Sequence, residues 1–275
     1  MKDKLKLGYI GTGNYGGVFL NFLLMQNYID VNRVLTINNE RYSFLQSSKN
    51  KNYMQFHNYS FYERKKDYNC FPVDLDCIIT AGWPYKIPAE VINHFDFPFL
   101  NIHPSLLPKY RGPEPIIQQI LNDEKIGGVT IHRMDADWDN GGICGQLEFE
   151  ILPQDNNKTL FLKVGRMGIK ILKKILTDLL KHNISFKIQN KQEATYYPKI
   201  NILDYIIDKN KYIEDVIRYS KAFFWAYPLI AELNGKLIIF KDFTFSKNNL
   251  KNYTSIKLKD GYLIVKNFLY YEGNY

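Results

Sequence analysis

The chain opens on a strand that runs through a glycine-rich turn into a helix. Residues 5–10 are a short apolar run, and Gly11, Gly13 and Gly16 follow it directly. Apolar side chains then recur at helical spacing from Val18 onwards. A strand that turns at once into a helix is typical of the layered α/β proteins, so this segment predicts that class of fold.

The following apolar runs extend the same alternation. Residues 77–81 are apolar at positions that would face both sides of a sheet, as in a strand buried within a parallel sheet. Further strands are predicted at 33–38, 98–103, 129–134 and 146–151, helices at 88–94, 113–120 and 160–179, and a polar loop at 47–67. The pattern predicts a Rossmann-like, mostly parallel sheet in a first domain of residues 1–183.

The sequence changes character after residue 183. A polar connector at 190–209 is followed by a helical pattern at 212–222. Two hairpins are predicted around Asn234-Gly235 and Asp260-Gly261, because these dipeptides suit two-residue hairpin turns. We therefore expect a linker and a small β-rich domain over residues 184–275.

Composition excludes some classes and leaves others open. The net charge is +8, but the lysines are scattered along the chain and select no polyanionic partner. The N-terminal segment lacks the apolar core of a signal peptide, and no run approaches the roughly 18 apolar residues of a membrane span. Cys70, Cys77 and Cys144 form no C-x-x-C pair. These features predict a cytoplasmic protein without a membrane partner.

The glycine turn allows two interpretations. Gly11, Gly13 and Gly16 match the dinucleotide-binding pattern, and Glu40 could be the acidic ligand of a ribose. Glycines also permit a tight strand-to-helix turn without any ligand. A structural turn is the preferred interpretation, and a nicotinamide-dependent oxidoreductase remains an alternative.

An acidic segment follows the strand predicted at 129–134. Asp135, Asp137 and Asp139 alternate there, but a calcium loop does not fit, because Asn140 occupies its glycine position and Gln146 its glutamate position. A metal-chelating Asp-x-Asp pair stays open for this segment. A solvated turn is the simpler interpretation of Asp137.

A polar pair ends the strand predicted at 98–103. Asn101 and His103 are two residues apart, so they share one face at the carboxyl end, where parallel sheets place their ligand clefts. An amide can stabilise an oxyanion while an imidazole accepts a proton, as acyl transfer requires. Asp139 could orient that imidazole. Taken alone, a histidine at a strand end could equally stabilise the turn.

Three ordered segments carry a resemblance to a known superfamily. Residues 101–112, with the sequence Asn-Ile-His-Pro-Ser-Leu-Leu-Pro-Lys-Tyr-Arg-Gly, resemble the signature of the folate-dependent formyltransferases, 128–134 resemble their next core strand, and 139–143 their Asp-x-Gly turn. The resemblance extends more weakly over residues 5–240. Two departures are the extra glycine in the first turn and Asn140, where Thr or Ala is frequent.

The resemblance implies formyl transfer from N10-formyltetrahydrofolate to an amine, without a metal. Asn101, His103 and Asp139 match the catalytic residues of the superfamily. The segment at 82–88 resembles the part that holds the folate pterin. The cofactor-binding residues implied in this way are Gly82, Trp83, Tyr85, Lys86, Ile87 and Asp135.

The resemblance also suggests the acceptor. Only 42 residues follow Leu233, which we expect to hold a few hairpin strands rather than the five-stranded barrel of the methionyl-tRNA branch. The predicted acceptor is a dTDP- or UDP-linked amino sugar for O-antigen or lipopolysaccharide synthesis, not nucleic acid, with a homodimer as the assembly and methionyl-tRNA formyltransferase as the alternative. The substrate-binding residues implied are Ser105, Lys109, Tyr110, Arg111, Trp225 and Tyr227.

Overall fold

A six-stranded sheet forms the centre of the first of two compact units. The computed structural model describes residues 4–36 and 71–272. The first unit contains residues 1–113, 126–150 and 161–197, and the second contains 114–125, 151–160 and 198–275. The second unit thus combines two short segments from the first 160 residues with everything after residue 197.

The strands of the central sheet run in the order β2-β1-β3-β4-β5-β6. The first four neighbours are parallel, and β5 and β6 are added antiparallel. This confirms the predicted mostly parallel α/β fold. The strands are β1 Leu5–Gly11, β2 Ile29–Leu35, β3 Cys77–Ala81, β4 Phe99–His103, β5 Ile126–Arg133 and β6 Ile143–Glu150.

Five helices lie in the described residues. They are α1 Gly13–Leu24, α2 Ala89–Ile92, α3 Pro115–Leu121, α4 Asn157–Leu180 and α5 Ile213–Phe223, with short 3-10 turns at Lys191–Glu193 and Ile202–Tyr205. All five residues of β3 are buried, as its apolar run predicts. No helix in the described ranges is long and apolar enough to cross a membrane.

The core beside β3 and β4 is rich in aromatic side chains. Phe95, Phe97 and Phe99 lie against one another, with ring centroids 4.8 Å apart for the first pair and 6.1 Å for the second. Ile87 and Ile78 belong to the same buried cluster. Burial of these side chains anchors the start of β4 in the core, two residues before Asn101.

The glycine turn after β1 has a packing explanation. A Cβ on Gly11 would lie 2.7 Å from the carbonyl oxygen of Ala81, and one on Gly16 would lie 3.0 Å from the same oxygen. Gly13 adopts a left-handed backbone, with φ of 64°. These contacts support the structural interpretation of the turn. Glu40, its possible ribose ligand, lies outside the described residues.

The two cysteines in the described ranges form no disulfide bond. Cys77 is buried and Cys144 is partly buried, and both are free thiols. Burial raises the pKa of Cys144 to about 12 and that of Cys77 well above its usual value. Both thiols therefore stay protonated at neutral pH. Cys70 and the predicted loop at 47–67 lie outside the described residues.

Two small antiparallel sheets form the β-rich part of the second unit. Their orders are β12-β8-β7 and β10-β11-β9. The strands are β7 Leu229–Leu233, β8 Lys236–Phe240, β9 Phe243–Ser246, β10 Thr254–Lys257, β11 Tyr262–Val265 and β12 Phe268–Tyr270. Among the described residues, five strands therefore follow Leu233, more than the few hairpin strands expected, because each strand has only three to five residues.

The two hairpin predictions have different outcomes. Asn234 and Gly235 both have positive φ, 51° and 75°, and form the two-residue turn predicted between β7 and β8. In the second hairpin Lys257 pairs with Tyr262, so the loop has four residues and the predicted two-residue turn is wrong. Asp260 instead accepts a hydrogen bond from the Ile213 amide, 2.9 Å away, at the start of α5.

Candidate active site

The end of β4 presents the two residues that the sequence singled out. Asn101 is partly buried and His103 is 4% exposed. Strand β5 runs antiparallel beside β4 and places His132 opposite Asn101. Asp139 follows β5 in the turn that leads to β6 and is 9% exposed. The first unit thus brings four polar side chains together at one end of its sheet.

Asp139 is the centre of this group. Its Oδ1 accepts a hydrogen bond from Asn101 Nδ2 at 3.2 Å and lies 3.5 Å from His103 Nδ1. Its Oδ2 accepts a hydrogen bond of 2.8 Å from the Gly112 amide. The carboxylate therefore contacts both of the other residues of the predicted catalytic trio, as well as the end of the signature segment.

The neighbours of His103 determine which ring nitrogen is available. Nε2 lies 2.8 Å from the carbonyl oxygen of Tyr110. Because a carbonyl oxygen only accepts, Nε2 must carry a hydrogen and donate it. Nδ1, which faces Asp139, is consequently the nitrogen that can take up a proton. Sequence alone could not choose between the two nitrogens.

The charges of this group follow from burial and proximity. Burial opposes ionisation of Asp139, but the interactions with His103, His132 and the Gly112 amide outweigh it, and the pKa of Asp139 falls below its usual value. Burial lowers the pKa of His103, and the attraction of Asp139 compensates only in part. At neutral pH the site therefore combines an ionised carboxylate with a neutral imidazole.

His132 is a fourth member of the group that sequence reasoning did not assign a role. It is 2% exposed, and its Nε2 lies 3.2 Å from Asn101 Nδ2 and 3.4 Å from Asp139 Oδ1. Its Nδ1 lies 2.9 Å from the carbonyl oxygen of Arg133, to which it donates. Nε2 is then free to accept from Asn101. The signal that could have found it is the antiparallel register of β5 against β4.

The Asn101 amide is fully engaged in this arrangement. Its two hydrogens serve Asp139 and His132. The role of oxyanion donor therefore requires one of these hydrogen bonds to be exchanged for a substrate oxygen. The hydrogen bonds to Asp139 and His132 already orient the Asn101 amide before that exchange.

The signature segment is held by residues of the polar connector predicted at 190–209. The Tyr110 amide donates to Thr195 Oγ1 at 2.8 Å, and the Tyr110 ring stacks on Tyr197 with centroids 5.1 Å apart. Ser105, predicted to bind substrate, is buried and donates its hydroxyl to the Lys109 carbonyl at 2.8 Å. Its observed role is to shape the loop, while the Lys109 side chain is exposed.

Arg111 has a protein partner for part of its guanidinium. Its Nη2 and Nε donate to Gln189 Oε1 at 2.7 and 3.3 Å. The amide nitrogen of Gln189 donates in turn to the carbonyl oxygens of Asp139 and Gly141, each at 2.8 Å. Gln189, which directly precedes the polar connector predicted at 190–209, thus reaches the turn that carries Asp139, and its sequence position did not indicate this contact.

The segment predicted to hold the folate lies beside the glycine turn. Gly82 has a φ of 65°, and a Cβ there would lie 2.9 Å from the Thr12 carbonyl oxygen. Trp83 and Tyr85 contact edge to face at 5.6 Å, Ile87 is part of the core, and Lys86 is exposed. The backbone of this segment passes close to the start of α1, and its predicted folate contacts stay a prediction.

The acidic turn shows mainly internal contacts. Asp135 accepts hydrogen bonds of 3.0 Å from the Asp137 amide and from Asn140 Nδ2. No group of three or more His, Cys, Asp or Glu side chains is placed to hold a metal within 4–36 and 71–272. These hydrogen bonds account for Asp135 as a turn-stabilising residue, and its predicted contact with folate stays a prediction.

Two of the predicted substrate-binding residues belong to the second unit. Trp225 is 48% exposed, and Lys158 Nζ lies 5.8 Å from its ring centroid. The Tyr227 hydroxyl donates to the carboxylate of Glu114, and burial raises the pKa of Tyr227. Trp225 therefore has an exposed aromatic face within its unit, whereas Tyr227 is tied to a neighbouring carboxylate.

A mostly parallel α/β sheet that brings an amide, an imidazole and a carboxylate together at one end has the groups that acyl transfer requires. Residues 26–176, more than half of the chain, match the family described as Formyl transferase. The chain belongs to this family, as the resemblance of residues 101–112 indicated.

Curated relatives match the chain over part of their length. The methionyl-tRNA formyltransferase of Ehrlichia chaffeensis is 36% identical over 167 residues, which are 59% of this chain and 53% of that protein. The enzyme of the same name from Dictyoglomus turgidum is 31% identical over 202 residues, 68% of this chain and 64% of that protein. The match therefore spans about half to two thirds of these relatives.

Solved structures share the fold over nearly the whole chain. An N-formyltransferase from Helicobacter canadensis, in complex with folinic acid and dTDP-3-aminofucose, has a TM-score of 0.67 at 22% identity and covers 96% of this chain and 100% of its own. A 4-N formyltransferase from Francisella tularensis has a TM-score of 0.68 at 23% identity and covers 85% of this chain and 96% of its own. Methionyl-tRNA formyltransferase from Clostridium thermocellum has a TM-score of 0.62 at 14% identity and covers 98% of this chain and 100% of its own.

Proposed function

We propose that this protein transfers a formyl group from N10-formyltetrahydrofolate to the amine of a nucleotide-linked amino sugar. The observation that carries the proposal is the convergence of Asn101 Nδ2 and His103 Nδ1 on one carboxylate oxygen of Asp139, at 3.2 and 3.5 Å. An oxyanion donor and a proton acceptor are thereby held side by side, as amide formation requires.

The residues supply each part of the reaction. The amine attacks the formyl carbon, and one Asn101 hydrogen bond moves to the oxygen that becomes negative. His103 Nδ1 takes the proton that the amine loses. The bond from the formyl carbon to N10 of the folate then breaks, and the proton is returned to N10, so that tetrahydrofolate and the formamide leave. Asp139 stabilises the imidazolium while it exists.

The folate co-substrate suits the segment at residues 82–88. Gly82 has a left-handed backbone that brings this segment against Thr12, with partly buried aromatic rings at Trp83 and Tyr85 beside it. A pterin ring is flat and bears hydrogen-bonding groups along its edges. Exposed backbone and aromatic faces are the groups that recognise such a ring. We propose Gly82, Trp83, Tyr85, Lys86, Ile87 and Asp135 as the residues that bind it.

An amino-sugar nucleotide is favoured as acceptor by the higher TM-scores of the sugar enzymes. The Helicobacter canadensis enzyme, whose structure contains dTDP-3-aminofucose, has a TM-score of 0.67 over 100% of its length, against 0.62 over 100% for the Clostridium thermocellum methionyl-tRNA formyltransferase. Lys109, with Arg111, would bind the diphosphate. The product would serve surface polysaccharide synthesis in the cytoplasm.

Methionyl-tRNA is the second candidate acceptor. The observation in its favour is the 36% identity to the Ehrlichia chaffeensis methionyl-tRNA formyltransferase. The five strands after Leu233 also make the second unit richer in strands than its length suggested. Strand number therefore does not decide between the two acceptors, and the decision rests on an assay.

The test is a mass-spectrometric screen of dTDP- and UDP-linked amino sugars with N10-formyltetrahydrofolate. We expect one sugar nucleotide to gain the mass of a single formyl group while tetrahydrofolate accumulates in equal amount. The His103→Asn variant is the control for uncatalysed transfer. Formylation of methionyl-tRNA with none of any sugar nucleotide would reject the sugar and retain the chemistry. Failure with every acceptor would reject the proposed function.

A further inference from the structure

The backbone of Asp139 is held in an unfavourable conformation. Its φ is 51°, in the left-handed region that residues with a side chain rarely adopt. Two residues later, a Cβ on Gly141 would lie 1.9 Å from the Arg133 carbonyl oxygen, so the turn is pressed against the end of β5. A turn of this kind keeps its shape only where surrounding contacts oppose relaxation.

Gln189 supplies such contacts from a distant part of the sequence. It lies two residues beyond Lys187, which exchanges two backbone hydrogen bonds of 2.8 Å with Ile143 at the start of β6. Its side chain is 6% exposed. The two hydrogens of its amide serve the carbonyl oxygens of Asp139 and Gly141, and its oxygen accepts from Arg111.

These hydrogen bonds close a ring around the carboxylate. Arg111 precedes Gly112, whose amide donates to Asp139 Oδ2 at 2.8 Å. Gln189 thus binds the main chain of Asp139 directly. It also binds Arg111, the residue next to the Gly112 amide that donates to the Asp139 carboxylate. Loss of the Gln189 amide would leave two carbonyl oxygens in the turn without this donor, and such groups are costly when buried.

We infer that Gln189 is a positioning residue for formyl transfer, because it holds the left-handed turn that sets the Asp139 carboxylate against His103 and Asn101. This role rests on the proposed function only for its effect on turnover. The geometry it maintains can be measured without any acceptor.

The pKa of His103 reports that geometry. The ionisable groups that face the ring are Asp139, which raises the pKa, and His132, which lowers it, while the Tyr110 carbonyl accepts from Nε2. Displacement of the Asp139 carboxylate removes the attraction and lowers the pKa of His103. The Asp139→Asn variant defines the full extent and direction of this change.

The experiment compares Gln189→Met with Gln192→Met. Methionine has a similar length and no charge, but it cannot make the four hydrogen bonds of Gln189. Gln192 is exposed on the same segment and controls for the substitution itself. Gln189→Asn, which keeps the amide but is too short to span both sides, serves if the methionine variant does not fold. Circular dichroism establishes folding of each variant.

We expect the pKa of His103, followed by NMR of 13C-labelled histidine, to move in Gln189→Met in the direction set by Asp139→Asn. The signal is assigned by its loss in His103→Asn. A kcat lower by about 10- to 100-fold with KM for the formyl donor within about twofold should accompany the shift, since small displacements of catalytic groups are costly. Gln192→Met should resemble the wild type.

An unchanged pKa of His103, or a shift opposite to that of Asp139→Asn, in a folded Gln189 variant would overturn the inference. A wild-type protein that formylates no acceptor would reject the proposed function instead, and the NMR titration would still test the role of Gln189. A fall in thermal stability with His103 unaffected would assign Gln189 a purely structural role and also overturn it.

Discussion

At the scale of single residues, the site depends on which atoms face one another. The Tyr110 carbonyl engages Nε2 of His103 and leaves Nδ1 toward Asp139, while Asn101 divides its two amide hydrogens between Asp139 and His132. A neutral base beside an ionised carboxylate can take a proton and have the resulting charge stabilised at once.

Removal of either member of the pair should abolish most of the activity. We expect His103→Asn and Asp139→Ala each to reduce kcat/KM about 100- to 10,000-fold, which is the usual contribution of a positioned general base. Steady-state formyl transfer measures this effect, and circular dichroism verifies that the variants fold. Turnover close to wild type in either folded variant would contradict the assignment.

The pH dependence of transfer should reflect a buried imidazole. His103 acts as a base only when neutral, so kcat/KM should rise with pH through its pKa, which burial places below the ordinary histidine value of about 6.5. In Asp139→Asn the remaining activity should rise at still lower pH, because the attraction that favours the imidazolium is lost. A rise of kcat/KM at higher pH in Asp139→Asn than in the wild type would contradict this expectation.

At the scale of elements, backbone contacts decide where glycine is required. Gly141 and Gly235 both lie in turns between antiparallel strands. A Cβ on Gly141 would lie 1.9 Å from the Arg133 carbonyl oxygen, whereas a Cβ on Gly235 has nothing within 4 Å. Gly235 instead has a φ of 75°. The two turns therefore restrict the residue for different reasons.

Alanine substitutions should separate these two effects. Gly235→Ala should lower the free energy of unfolding by about 1 kcal/mol through the left-handed backbone alone, and formyl transfer should be unchanged. Gly141→Ala should cost about 2 kcal/mol or more and reduce transfer, because the turn that carries Asp139 must move. Urea unfolding and transfer assays measure both. Equal effects of the two substitutions on transfer would contradict this explanation.

At the scale of the whole molecule, the net charge of +8 is compatible with either acceptor. The two acceptors differ in the number of phosphates that the protein must neutralise. A diphosphate offers few contacts, and a tRNA offers many along its backbone. Salt dependence therefore distinguishes the two modes of binding where sequence similarity does not.

Binding of the acceptor should depend only weakly on salt. A tRNA-binding protein loses affinity with a logarithmic slope of about 0.7 to 0.9 per phosphate contacted, so several contacts give a steep dependence. For a sugar nucleotide held by Lys109 and Arg111 we expect a slope of about one to two. Titration calorimetry at increasing NaCl measures the slope. Tight binding of methionyl-tRNA with a steep slope would favour the alternative acceptor.

The sheets of the second unit lead us to expect a homodimer. In the segment after Leu233, strand β12 forms an edge of one sheet, and β9 and β10 form the edges of the other. Edge strands expose unpaired backbone groups that a second chain can cover. Sedimentation equilibrium across the working concentration range should give twice the mass of a single chain, which is 32.4 kDa. A single 32.4 kDa species at every concentration would reject this expectation.

The sequence by itself determined the features that depend on local pattern. The buried run of β3, the strand end with Asn101 and His103 and the Asn234-Gly235 turn follow from apolar spacing and backbone preference, and the structure has all three. The signature segment also placed the chain in its family. These signals are contained within a few neighbouring residues, so no knowledge of distant contacts is needed.

Only the tertiary structure decided which distant groups meet. The register of β5 against β4 places His132 beside Asn101, and Gln189 contacts the turn of Asp139 from 50 residues further along the chain. From the loop of its hairpin, Asp260 accepts a hydrogen bond from the first turn of α5. The choice of Nδ1 in His103 likewise depends on the Tyr110 carbonyl. Hydrogen bonds of this kind depend on ångström distances between separate elements, and amino-acid spacing along the chain does not contain those distances.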